Sequence, residues 1–245
     1  RQNAAQAKAR QATLADVLAR AAEHYRKQLK ANPRAVDYLK AVAIQNSDDK
    51  QLFLGTTGVD SFITRKNAQT GLLDASYGTS GVVGTSILTH LVTSNPGAIL
   101  AFRDVILDPD PSSPHYDKAV VVGDIAGEMI VVRFDLSGNL DTTFNTTGYR
   151  TINFGASAFL HEAVTMGSGG RIVIAGDVSP YVGLTRIKKN GRKDRPFGTS
   201  GETLTYWTGT EHVTNVFITA RGRILVGGYN GLLWANDIFL LRYHN

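Results

Sequence analysis

The sequence predicts a mainly β chain: an array of about four antiparallel, propeller-like blades, the last incomplete, preceded by an N-terminal helix pair. Three observations lead there. Apolar side chains in the first forty residues fall at helical spacing. From residue 41 that period gives way to short β-branched runs broken by Gly, Asn and Asp. Within those runs, four features recur in the same order along the chain. The expected domains are a basic helical segment, 1–40, and a β-repeat domain, 41–245, with units near 41–87, 88–153, 154–207 and 208–245.

The helices come first. Thr13-Leu14-Ala15-Asp16 reads as a capping box with Asp in place of Glu. Leu14, Val17, Leu18, Ala21, Ala22, Tyr25 and Leu29 then share one face, leaving Arg20, Arg26 and Lys27 on the other. Asn32-Pro33 starts a second, short helix with an N-cap and a proline at its first position. The net charge of +5 is concentrated here: residues 1–40 hold nine basic and three acidic groups, the rest of the chain 17 and 18. The body is therefore close to neutral and lacks the footprint that a phosphate backbone requires. Arg20, Arg26, Lys27 and Lys30 are the residues through which a nucleic acid would be held. An ordinary packing helix with a solvated basic face is the favoured account of them.

Thr13-Leu-Ala-Asp-Val-Leu-Ala-Arg-Ala-Ala-Glu-His-Tyr-Arg-Lys-Gln-Leu, followed by Asn32-Pro33-Arg-Ala-Val-Asp-Tyr-Leu-Lys40, resembles the helical linker of bacterial DnaG-type DNA primases. The resemblance covers about one sixth of the chain and stops at Lys40. The zinc-ribbon cysteines and the carboxylate set of that family are not in this sequence, so it does not imply primase activity. The change of period and charge at Lys40/Ala41 also fits a recombined or engineered chimera with no native function.

The repeats are more specific. One unit reads Lys50-Gln-Leu-Phe-Leu-Gly55, Asp60-Ser-Phe-Ile-Thr-Arg65, Gly71-Leu-Leu73-Asp74 and Tyr77-Gly78-Thr-Ser-Gly81. A second reads Lys118-Ala-Val-Val-Val-Gly123, Met129-Ile-Val-Val-Arg133, Gly138-Asn-Leu140-Asp141 and Phe144-Asn-Thr-Thr-Gly148. A third reads Arg171-Ile-Val-Ile-Ala-Gly176, Val182-Gly-Leu-Thr-Arg186, Gly191-Arg-Lys193-Asp194 and Phe197-Gly-Thr-Ser-Gly201. The fourth offers Arg223-Ile-Leu-Val-Gly-Gly228 and Ile238-Phe-Leu-Leu-Arg242 only. Each unit is expected to form about four strands, counting an earlier one such as Ala41–Gln45 or Val216–Thr219. A lone four-stranded blade cannot bury both of its faces, so neighbouring blades must stack. The incomplete fourth unit leaves an edge that favours self-association.

This pattern resembles the delta-60 repeat, whose aliphatic-Val-Val-Ala-Gly, aliphatic-Arg-Tyr and Gly-x-Leu-Asp-x-x-Phe-Gly signature maps onto the stretches just quoted. The resemblance implies a propeller-like structure and an extracellular or cell-surface location. A native primase-like segment would instead imply the cytoplasm.

No catalytic set stands out, and no metal or cofactor is expected. With no cysteine there is no disulfide, thiolate zinc site or cysteine nucleophile. Gly78-Thr-Ser80-Gly81 and Gly198-Thr-Ser200-Gly201 recur in phase, as turns do, and Met166–Gly170 reads as a hairpin turn. Asp104, Asp108, Asp110 and Asp117 match no calcium loop and suit a solvated one. Candidate binding residues are the recurrent Arg65, Arg133, Arg186 and Arg242, and the aromatic pair Trp207 and Trp234. The arginines have a structural alternative, the same bond repeated in each unit, with Asp74, Asp141 and Asp194 as partners. No run approaches the roughly 18 apolar residues of a membrane span. The expected function is a non-enzymatic binding or structural module facing a protein or a glycan. The alternatives are a hydrolase using axial carboxylates and a nucleic-acid-associated protein acting through the N-terminal helices; nucleic acid is the less favoured partner.

Overall fold

The computed structural model describes residues 50–56, 61–67, 70–84, 88, 91, 100–155, 159–206, 211–231 and 237–244. The expected helix pair, with Arg20, Arg26, Lys27 and Lys30, lies outside the described residues, as do Trp207, Trp234 and the expected strand Ala41–Gln45.

What is described is mainly β and forms four antiparallel sheets in chain order. The first contains β1 (Lys50–Thr56), β2 (Ser61–Asn67) and β3 (Val82–Gly84). The second contains β4 (Leu100–Leu107), β5 (Ala119–Ile125), β6 (Glu128–Phe134) and β7 (Tyr149–Ile152). The third contains β8 (Phe159–Gly167), β9 (Arg171–Val178), β10 (Tyr181–Ile187) and β11 (Glu202–Tyr206). The fourth contains β12 (Glu211–Ile218), β13 (Ile224–Asn230) and β14 (Asp237–Tyr243). Every sheet is a meander in which sequence neighbours pair, and the sheets do not close into a barrel.

The repeated features occupy matching places. The Val-Val-Gly-type runs become β1, β5, β9 and β13, and the runs ending in arginine become β2, β6, β10 and β14. The opening strand of the last unit is longer than the expected Val216–Thr219. It starts at Glu211, where polar residues hide the alternation. The first strands β4, β8 and β12 lie beside one another. Each pairs with its own sheet through a register irregularity, between Phe102 and Asp104, Phe159 and Glu162, and Val213 and Asn215.

Neighbouring sheets are joined by apolar layers, and the two-residue period of a strand decides which layer each side chain enters. In the third sheet Val164, Ile172, Ile174 and Val178 pack on Val120, Val122, Met129 and Val131 of the second. Ala163, Val173 and Ala175, each next in the chain to one of these, pack with Val182 and Leu184 of β10 on Val213, Val216, Ile224, Val226 and Phe239 of the fourth. A strand covered on both sides needs an unbroken apolar run, which is why Val120, Val121 and Val122 are all buried.

The turns are as expected. Gly71, Gly138 and Gly191 have φ of +69°, +81° and +80°, and Ser80 and Ser200 also adopt positive φ inside matching turns. Met166–Gly170 links β8 and β9 through a short 3-10 turn at Ser168–Gly170.

Candidate functional site

Two polar constellations are built on this frame. The first contains the recurrent arginines. Arg65 Nε donates to Asp74 Oδ2 at 2.8 Å, Arg133 Nε to Asp141 Oδ2 at 2.7 Å, and Arg186 Nε to Asp194 Oδ2 at 2.8 Å. Each guanidinium also lies 4.5–4.8 Å from the ring centre of Tyr77, Phe144 or Phe197 respectively. A third bond leaves the unit. Arg65 Nη1 donates to the Leu136 carbonyl at 2.6 Å, and Arg133 Nη1 to the Lys189 carbonyl at 2.5 Å. Both acceptors sit in the turn of the following sheet. Backbone bonds run alongside, from Gly78 N to the Ser137 carbonyl at 2.7 Å and from Asn145 N to the Asn190 carbonyl at 2.8 Å.

The Arg-x₇₋₈-Asp-x₂-aromatic spacing is therefore a latch that holds a unit together and fastens the next one to it. Arg65, Arg133 and Arg186 are buried in it. Burial alone would raise the Asp141 carboxyl, but hydrogen bonds from Lys118 and Thr143 and the Arg133 charge hold it well below the usual range. Arg242, at the same phase of the fourth unit, is exposed.

Two of the loop aspartates, Asp108 and Asp110, bond to their own loop. Asp108 is buried, contrary to a wholly solvated loop, because its oxygens accept from Asp110 N and the Ser113 hydroxyl. Asp110 accepts from Ser112, and Asp104 accepts from Val105 N and, across to the third sheet, from Val164 N. Among the described residues no three His, Asp or Glu side chains gather closely enough to share a metal ion.

The second constellation was not foreseen from the sequence. It lies along the first two strands of three sheets. Arg103 of β4 donates through Nε to Asp124 Oδ1 of β5 at 2.7 Å and stands 3.8 Å from Glu162 Oε2 of β8. Asp177 of β9 accepts from Val213 N at 2.7 Å and lies 3.4 Å from His212 Nδ1 of β12. The His212 ring leans on Tyr229, with centres 4.7 Å apart. The Glu162 side chain is fully buried, and among the described residues neither of its oxygens has a hydrogen-bond partner on another residue. Burial, together with the charges of Asp124 and Asp177 and against that of Arg103, raises its carboxyl to about 8. One signal for this group was in the sequence: Gly123-Asp124 and Gly176-Asp177 recur in phase at the ends of the middle strands.

No family model matches this chain, and no curated protein matches it.

Proposed function

We propose that the chain is a non-enzymatic structural module, a propeller-like stack of β units that assembles head to tail with further copies of itself. One observation carries this reading. Two and four residues before the arginine, the units bury Ile63 and Ser61, Val131 and Met129, and Leu184 and Val182, at 0–3% exposure. The same positions in the fourth unit, Leu240 and Ile238, are 68% and 89% exposed. In the first three units a following sheet covers these positions; among the described residues no sheet covers them in the fourth.

The first sheet carries the opposite surface, and among the described residues no sheet packs on it. Phe62, Thr64, Lys66, Gly71, Leu72 and Leu73 of the first sheet line an open cleft of about 800 Å³. Their counterparts in the later sheets face the preceding unit, and the turn at Gly71 matches the turns that receive Arg65 and Arg133. The two surfaces complement each other by the rule that stacks the internal sheets. A contact between unlike surfaces propagates as a ring or a filament.

Sedimentation equilibrium of the full chain, at concentrations up to about 50 µM, tests this. The wild type is expected to associate. Ile238→Lys/Leu240→Lys and Leu72→Lys should each be monomeric, with unchanged circular dichroism, because all three side chains are exposed. A mixture of the two variants should form a dimer and nothing larger, since each keeps one intact surface. A monomeric wild type, or a mixture that fails to pair, overturns the proposal.

The Asp124–Glu162–Asp177 group favours one second reading, a carboxylate-based hydrolase. Turnover of a nitrophenyl ester or glycoside that is lost in Glu162→Gln would replace the scaffold reading.

A further inference from the structure

We propose that the fourth sheet binds an extended segment of a partner polypeptide, which pairs with the outer edge of β14 and brings a carboxylate to Arg242. The proposal does not depend on head-to-tail assembly, which uses the side chains of β14 rather than its backbone edge. Its starting point is a difference between the sheets. In the first three, the strand that ends in arginine pairs on both sides: β2 with β1 and β3, β6 with β5 and β7, and β10 with β9 and β11. Among the described residues β14 pairs only with β13.

The register identifies the backbone groups on that edge. Arg65 N, Arg133 N and Arg186 N donate to the carbonyls of Gly81, Gly148 and Gly201, just before β3, β7 and β11, at 2.8–3.0 Å. Backbone groups alternate in direction along a strand, so every second residue back from the arginine also faces the outer neighbour. These are Ile63 opposite Val83, Met129 and Val131 opposite Ile152 and Arg150, and Val182 and Leu184 opposite Thr205 and Thr203. In β14 the same rule turns the N–H and C=O groups of Ile238, Leu240 and Arg242 outwards, and among the described residues no strand meets them. A strand edge of this kind is a template for a further strand.

The other sheets give the chemistry of such a neighbour. Arg65, Arg133 and Arg186 each hold an aspartate and lie over an aromatic ring three residues beyond it. Arg242 is exposed and among the described residues has neither. A second opening adjoins the end of β14. Gly78 N and Asn145 N bond to turn carbonyls of the following sheet. Gly198 N, in phase with them, meets no such carbonyl among the described residues, and Gly198 lines a cleft of about 340 Å³ with Phe197, Thr203, Tyr243 and His244. The segment that fits supplies a turn carbonyl, an aspartate, an aromatic residue three positions later and then a short strand. Ser137, Asp141, Phe144 and Tyr149–Ile152 show that order in the second unit. The carboxylate complements the Arg242 charge, and main-chain bonds to β14 provide the rest of the affinity.

A synthetic peptide with the sequence of residues 137–153, labelled at its N-terminus, tests the site by fluorescence anisotropy as the full chain is titrated in. Saturable binding is expected, with a Kd on the order of 10–100 µM. Asp141→Asn in the peptide and Arg242→Gln in the protein should each weaken binding about tenfold, and the two together no further, because they remove one ion pair. Leu240→Pro removes an outward N–H and leaves the bonds to β13 in place. It should weaken binding about tenfold or more while melting cooperatively. No saturation up to about 1 mM, or wild-type binding by both Leu240→Pro and Arg242→Gln, overturns the proposal. Self-association that Leu240→Pro abolishes, with no peptide binding, would assign the edge to a second copy of the chain and overturn it equally.

Discussion

At the scale of single residues, the two acidic constellations give opposite responses to pH. Asp141 is held below its unfolded value, so its contribution is present above pH 4 and is lost as the solution is acidified. Glu162 is raised to about 8, so the folded chain binds a proton that the unfolded chain has released. Between pH 4.5 and 8 the native state holds more protons, and stability falls as pH rises through that window. The loss from this group is on the order of 3–5 kcal/mol. Urea unfolding at pH 5.5 and pH 8 should show the decline in the wild type and a much flatter profile in Glu162→Gln. An equal slope in the two proteins would remove Glu162 as its cause. The latch was partly legible in the sequence because it recurs: Arg65, Arg133 and Arg186 kept their distance from Asp74, Asp141 and Asp194. The carbonyl acceptors at Leu136 and Lys189 were not, since any residue can supply a carbonyl.

At the scale of elements, the repeated glycine at 71, 138 and 191 has two duties that the structure separates. All three need positive φ, which costs a residue with a Cβ about 1–2 kcal/mol. Gly138 and Gly191 also lie against the preceding unit. A Cβ on Gly138 would come within 2.6 Å of Val83 Cγ2 and 2.8 Å of Gly78 N, and one on Gly191 within 2.7 Å of Asn145 N. A Cβ on Gly71 meets nothing within 4 Å. In the non-associating Ile238→Lys/Leu240→Lys background, Gly71→Ala should cost about 1 kcal/mol and Gly138→Ala about 3 kcal/mol, read by urea unfolding. Equal costs would mean that the units do not meet at this turn. The strands themselves were readable because β-branched runs and Gly-rich turns are local signals. The irregularities at Phe102/Asp104, Phe159/Glu162 and Val213/Asn215 were not, because a register shift belongs to two strands at once.

At the scale of the whole molecule, the second and third sheets are each packed between two neighbouring sheets, and among the described residues the outer layer of the fourth is uncovered. The open layer at Ile238 and Leu240 is apolar, and covering it in an assembly links stability to concentration. The melting temperature of the wild type should therefore rise over a hundredfold increase in protein concentration, and that of Ile238→Lys/Leu240→Lys should not. A concentration-independent wild type would count against head-to-tail stacking. The charge distribution acts at this scale too, since residues 41–245 are close to neutral and copies stacked through them would meet little of the repulsion that a strongly charged array carries.

The sequence by itself determined the kind of strand, the order of the units and the positions of the turns. These follow from local propensity, two-residue alternation and repetition, all of which are written along the chain. It also pointed to the arginine–aspartate pairing, because the same bond is encoded several times. Only the tertiary structure decided which unit each latch reaches and which copy of a repeated surface is left uncovered. It also decided that Arg103, Asp124, Glu162, Asp177 and His212 meet. They come from five strands up to 109 residues apart in the chain, on a surface that exists only once the sheets have stacked.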